Sequence, residues 1–426
     1  MAPGLDILNQ KLHAVLENRR KEGRLIMPPS AATLAEMRDF GSNDGLSLSS
    51  SGVLSATFLR ELEKHPSFTI GSGSSRILDG TQHYLESLER DLAQFHGAES
   101  ALFFNSGFDA NVAIWSTIPQ PGDVIVYDEL IHASIHDGMK RGRAATALFL
   151  HNDCASLRSC LRDVLDQDPA IAKGEHIVFV ALESFYSMDG DMSPVLEIVQ
   201  VVQEELPLGN YVLVIDEAHS NGLVGPNGSG YICHYGLEQE FGIRLQTCGK
   251  ALGSTGAVVL ANGTIKLSLL NYARSVMFST APSFLTVSGV RAGYELLASE
   301  EGEKRRHRLQ QNLRYFYQCL TESPWWGSVK QQRILSLPTE PTWEMEPFLA
   351  PVIALVTQPG METKLAEYLR QAKYWVNTAN FPLVPKTKSR IRIVIHADNT
   401  IDDIGAVVRL IGEWAQRQMI VASSKI

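Results

Sequence analysis

The stretch Tyr211-Val212-Leu213-Val214-Ile215-Asp216-Glu217-Ala218-His219 decides the fold. Five apolar, largely β-branched residues run without alternation, so both faces of the strand must be covered, as happens when helices pack on each side of a parallel sheet. An acid follows the strand directly. In open α/β sheets ligands bind at the carboxyl ends of the strands, so Asp216 can meet a ring nitrogen there while His219 reaches a neighbouring oxygen. The plainer reading is that Asp216 caps the next helix.

Working outward, similar runs occur at Val124 to Tyr127, Ile177 to Leu182 and Gly256 to Leu260, alternating with helical patterns. They predict further buried parallel strands, and Ala101 to Phe104 reads as another strand. Upstream, Leu5, Leu8, Leu12, Val15 and Leu16 predict an amphipathic helix, and Leu85, Leu88, Leu92 and Phe95 predict one ending at Gly97. Downstream, one long helix is expected over Val287 to Leu320, followed by strands at Val352 to Val356 and Arg390 to Ile395. The organisation expected is an N-terminal helix and arm (1–50), a large α/β domain with a mainly parallel sheet (51–285) and a smaller α+β domain (286–426).

Composition narrows the function. The 426 residues carry 38 Lys+Arg against 47 Asp+Glu, a net charge of -9, with no basic stretch interleaved with aromatics, so nucleic acid is not the expected partner. Five cysteines without a CxxC pair suggest neither a disulfide framework nor a zinc site, and point to a reducing, cytoplasmic setting. No apolar run reaches the length of a membrane span. The last residues, Ser424-Lys425-Ile426, come close to the Ser-Lys-Leu peroxisomal address, with an ordinary polar tail as the alternative.

Chemistry concentrates in Thr247-Cys248-Gly249-Lys250-Ala251-Leu252-Gly253-Ser254-Thr255-Gly256. A lysine held among small residues can lose its proton and form an imine with an aldehyde; in a flexible loop it would be only a solvated charge. Asn105-Ser106-Gly107-Phe108 joins a strand to a helix whose first N–H groups can bind phosphate. His132, in His132-Ala133-Ser134, offers a flat ring for stacking. Glu183 to Asp191 closes another strand with polar groups.

Together these segments resemble the fold-type I enzymes that use pyridoxal 5'-phosphate (PLP). With Ser42-Asn43-Asp44, Gly71-Ser72-Gly73-Ser74-Ser75-Arg76, Ser187-Met188-Asp189-Gly190-Asp191 and Phe278-Ser279-Thr280 in order, the chain resembles the α-oxoamine synthases, above all those of biotin synthesis. The resemblance implies decarboxylative condensation of a small amino acid, alanine foremost, with an acyl-CoA of the pimeloyl type. It implies Lys250 as Schiff base and proton carrier, Asp216 at the pyridine nitrogen, His219 at the ring oxygen and His132 stacked on the ring. Ser106, Gly107, Phe108, Glu183, Ser187 and Thr247 are further expected cofactor contacts. Thr280 is expected from the second subunit of a homodimer. Asn43 and Arg392 would bind substrate, Arg392 gripping the amino-acid carboxylate, with Arg390 as its competitor.

One departure concerns the acyl group. Gly45 stands where the family commonly has an aromatic, which predicts a wider acyl pocket. The glycines beside Asn43, Arg76, Ser106 and Lys250 are expected to line one cleft. Competing readings are an aminotransferase, a CoA ligase acting on glycine and a non-catalytic partner subunit. A dinucleotide or P-loop enzyme is weaker still, because Gly71-Ser72-Gly73 is followed by Arg76 where the fingerprint needs glycine.

Overall fold

The computed structural model describes residues 3–381 and 383–423, so the C-terminal tripeptide lies outside the described residues. A short strand β1 (Arg38–Asp39) precedes a central sheet of β2 (Ser100–Phe104), β3 (Val124–Asp128), β4 (Ala145–Phe149), β5 (Val178–Glu183), β6 (Tyr211–Asp216), β7 (Phe241–Thr247) and β8 (Ala257–Ala261). The C-terminal part adds β9 (Leu335–Ser336), β10 (Val352–Thr357), β11 (Tyr374–Trp375), β12 (Asn377–Ala379) and β13 (Arg390–Val394).

The central sheet runs β2-β8-β7-β6-β5-β3-β4. All neighbours are parallel except β8, which is antiparallel to both β2 and β7. The run expected at Gly256 to Leu260 is therefore a strand, but not a parallel one. The loop from Thr247 to Ala257 is too short for a parallel crossover, which needs a dozen residues or more. Leu213, Ile215, Val178 and Val180 are fully buried. Each such side chain contributes roughly 1.5–3 kcal/mol by leaving water.

Two strands of the central sheet escaped sequence reading. β7 carries Arg244 and Gln246 at buried positions, which breaks the apolar pattern. Arg244 donates to the His96 carbonyl at 2.7 Å, and Gln246 donates to buried Glu217. β4 is the sheet edge and mostly exposed, so its apolar signal is weak.

The single long helix expected over Val287 to Leu320 is two, Phe284–Leu297 and Glu300–Thr321. Ser299 breaks it by accepting from Gly302 N at 3.3 Å, and Glu300, Glu301 and Glu303 then favour a new helix N-terminus. The N-terminal helix spans Pro3–Lys21, and its stripe of Leu5, Leu8, Leu12, Val15 and Leu16 is exposed.

The C-terminal sheet, β12-β13-β10-β9, is antiparallel throughout. The N-terminal segment is stitched to it: β1 pairs in parallel with β11, Val394 N donates to Phe40 O at 2.8 Å and Ala397 N donates to Gly45 O at 2.8 Å. This brings Asn43 to Arg392 on β13.

Candidate active site

Asp128, Glu183, Asp216 and Thr247 are the last residues of β3, β5, β6 and β7. Glu183 and Asp216 are direct neighbours across the β5–β6 ladder. These parallel strands therefore deliver all four groups to one edge, and the loop carrying Lys250 leaves from the same edge.

Asp216 is buried and satisfied as an anion. Asn111 Nδ2 donates to its Oδ2 at 2.7 Å and Ala218 N to its Oδ1 at 2.9 Å. Asn111 also donates to Ser134 Oγ at 3.0 Å, and Ser134 Oγ lies 2.7 Å from His132 Nδ1. Because Ser134 N–H also points at Nδ1, this nitrogen is the acceptor and the ring proton sits on Nε2. The ring face stays open, yet desolvation lowers the His132 pKa against the pull of Asp216, leaving a neutral imidazole.

Glu183 is buried, its Oε1 has no hydrogen-bond partner, and burial pushes its pKa well up, with Asp216 adding to the effect. His219 is buried, and desolvation, then Lys250 and Arg392, hold its pKa well below the ordinary value. It is a neutral ring.

The Lys250 amine has no hydrogen-bonded partner among the described residues, while its carbonyl accepts from Gly253 N at 2.8 Å. The residue is half-buried, and desolvation outweighs Asp216 and Glu183 to bring its pKa to about 8. Acylation of Lys250 in the cofactor-free protein is therefore expected to accelerate through pH 8, where an ordinary lysine stays protonated. Peptide mass mapping against a surface lysine measures this. An inflection near 10 at both would contradict the site's electrostatics.

Ser106 caps the helix Gly107–Thr117, accepting from Asp109 N at 3.0 Å. The N–H groups of Gly107 and Phe108 have no acceptor among the described residues, and they open at the positive end of that helix. A Cβ on Gly107 would come within 3.4 Å of Thr247 Oγ1, so glycine lets the loop close against β7.

Arg392 is buried but has no ion-pair partner among the described residues. Its Nε donates to Ser187 O at 2.7 Å and its Nη2 to Asn43 Oδ1 at 2.8 Å, while burial lowers its pKa to about 10. Arg390 is committed elsewhere, ion-paired to Asp189 and donating to Met188 O at 3.2 Å.

Electrostatic contact links Lys250, Asp216, Glu183, His132, His219 and Arg392 in one cluster. Ser187 joins through its carbonyl and Asn43 through its side chain. Thr280 stands apart: it is exposed, bridges to Ser75, and faces Asn105 and Asp109 across a cavity of about 180 Å³.

Arg76 is buried in an ion pair with Glu89, a carboxylate that Lys266 also meets at 3.0 Å, and it lines the same cavity as Thr280, Asn105 and Asp109. One expectation is corrected. Gly45 does not open an acyl pocket. It is buried, and a Cβ would point to Pro351 at 3.6 Å and Leu309 at 3.8 Å, into packed side chains. Sequence reading also missed Asn111 and Ser134. The one available signal was a polar residue on the buried side of an otherwise apolar helix.

The model of the class I and II aminotransferase family matches residues 35–411. The chain belongs to that family. A fungal 8-amino-7-oxononanoate synthase from Emericella nidulans is 40% identical over 94% of both chains. Aminoacyl transferase sphA of Aspergillus fumigatus is 42% identical over 89% of this chain and 81% of its own. Among solved structures, serine palmitoyltransferase of S. paucimobilis with bound PLP–myriocin is similar at a TM-score of 0.75 and 25% identity, covering 90% of this chain and 88% of that one. These relatives place this aminotransferase-family member among the α-oxoamine synthases, which are PLP-dependent transferases.

The residues present fit that cofactor. The pattern is an unpaired amine, an anion fixed by two N–H donors, an open neutral imidazole face and a helix N-terminus with free N–H groups. Among the described residues of this α-oxoamine synthase no helix is long and apolar enough to cross a membrane.

Proposed function

We propose that this α-oxoamine synthase joins a small amino acid, alanine before glycine or serine, to an acyl-CoA of the pimeloyl type, releasing CoA and CO2 and leaving an α-amino ketone. The carrying observation is Arg392, a buried guanidinium aimed into the cluster of Lys250 and His219 with no carboxylate of its own. A planar fork of this kind suits a substrate carboxylate. The similarity to 8-amino-7-oxononanoate synthase over 94% of both chains supports the choice of substrates. That nine-carbon product is a seven-carbon diacid acyl group plus alanine less CO2. Biotin synthesis is the corresponding role.

PLP, when bound, supplies an aldehyde carbon for amines and a conjugated ring that takes up the electron pair left at the substrate Cα. Lys250, Asp216, His219 and the open face of His132 would hold it, with Gly107, Phe108 and Thr247 at its phosphate and Ser106, Glu183 and Ser187 around them. Lys250, neutral above about pH 8, takes the proton from Cα. Asp216 would favour the protonated form of the ring nitrogen, and Arg392 would fix the substrate's orientation through its carboxylate. In a homodimer, Thr280 would reach the partner's phosphate site. Its exposure, and that of Leu78 and Phe278, supports that arrangement.

A panel of acyl-CoAs against alanine, glycine and serine tests the reading. Free thiol and CO2 are expected in equal amounts, greatest with alanine and pimeloyl-CoA. Arg392→Gln is expected to raise the amino-acid KM on the order of 10²-fold, from the loss of charge-assisted bonds of about 1.5–3 kcal/mol each. Amino transfer to a keto acid without CoA would overturn it. The similarity to an aminoacyl transferase at 42% identity keeps another acyl thioester as the second reading, which the same panel would reveal.

A further inference from the structure

His151 stands between two carboxylates at the edge of the site. Its Nδ1 lies 2.8 Å from Asp128 Oδ1 and its Nε2 2.7 Å from Asp191 Oδ2, and its ring packs edge-on against Tyr186 with centroids 4.4 Å apart. Asn152 strengthens both links: its backbone N donates to Asp128 Oδ2 at 2.9 Å, and its Nδ2 donates to Asp191 Oδ2 at 3.0 Å and Met192 O at 3.1 Å.

The two ends of this bridge lead to different halves of the site. Asp128 also accepts from Leu130 N at 2.8 Å, and so shapes the turn that delivers His132. Asp191 closes the loop Ser187–Asp191, whose Ser187 carbonyl holds Arg392 and whose Asp189 holds Arg390. On its other side that loop is pressed against β10, where a Cβ on Gly190 (φ +75°) would fall 2.0 Å from Val352 O. The loop is thus packed on β10 on one side and tied to His151 on the other, and its own backbone bonds, Tyr186 N to Asp191 O at 3.0 Å and Gly190 N to Tyr186 O at 2.9 Å, close it.

We propose that His151 is a positioning residue for amino-acid binding: clamped between Asp128 and Asp191, it fixes the Ser187–Asp191 loop and, through the Ser187 carbonyl, the direction of the Arg392 guanidinium. Burial alone would lower the imidazole's pKa, but the hydrogen bonds and charges of the two carboxylates outweigh it and raise it to about 10. The ring is thus a cation that donates to both sides at neutral pH. The proposal rests on Arg392 as the carboxylate ligand.

The test is calorimetric titration of the PLP-loaded enzyme with alanine and with alaninamide, which lacks the carboxylate. Wild type is expected to prefer alanine. His151→Ala is expected to weaken alanine binding about tenfold or more, the scale of a lost charge-assisted bond, and to leave alaninamide binding unchanged. Asp191→Ala, which cuts the same clamp from the other end, should give the same loss, and the double variant little more. In turnover the amino-acid KM rises while the acyl-thioester KM stays. Binding stoichiometry reports the folded fraction, so a destabilised variant still yields its affinity ratio. Equal weakening of both ligands would overturn the positioning role. A wild-type enzyme that binds both equally would instead refute the reading of Arg392.

Discussion

Lys250→Ala is expected to leave no measurable condensation, a loss of at least about 10⁴-fold, because in the proposed reaction one residue serves as covalent anchor and as proton carrier. The substitution should not disturb the fold. Lys250 donates to no protein group among the described residues, and desolvation disfavours its charged form. Three measurements separate chemistry from folding. Exchange of the alanine Cα hydrogen with deuterated solvent should cease without any acyl thioester, PLP should wash out on dialysis, and the thermal transition should persist. A variant that still exchanged Cα hydrogen at the wild-type rate would remove Lys250 from the proton path.

Asp216→Asn should keep the shape of the site and remove its fixed anion, slowing Cα exchange and condensation on the order of 10³-fold. A buried charge pair broken at one partner costs about 3–5 kcal/mol, which sets that scale. The carboxylate is held by Asn111 and the Ala218 N–H, so it has little freedom to be replaced by another group. Glu183, its neighbour across the ladder, is disfavoured as a replacement anion, because burial pushes its pKa well up. The amino-acid KM should change far less than turnover, because Arg392 is untouched. Equal turnover by the two proteins, measured with saturating PLP, would exclude Asp216 from the reaction.

The large sheet was legible because its central strands are apolar on both faces, and Asp216, Lys250 and Ser106 were legible because each directly follows or flanks such a strand. Strand direction was not, since Ala257–Ala261 looks the same either way; the short loop before it held the answer. β7 was hidden by Arg244 and Gln246, whose partners come from distant segments. The same cause hid the Asp128–His151–Asp191 clamp. Its members close three different segments, and no spacing within one of them announces the others. Gly45 shows the opposite failure: an absent side chain suggested space, but Pro351 and Leu309 occupy its surroundings.

The proposed grip on the substrate carboxylate is assembled from the two extremes of the polypeptide. Arg392 meets Asn43 across 349 positions and Ser187 across 205, whereas Asn111 and Asp216 are 105 apart. On a ribosome, Lys250 and the strand ends around it are synthesised before Arg392 exists. The reactive amine can thus be folded in place before the group that decides which molecules it should act on, and the long-range closure that completes selection carries the larger entropic cost.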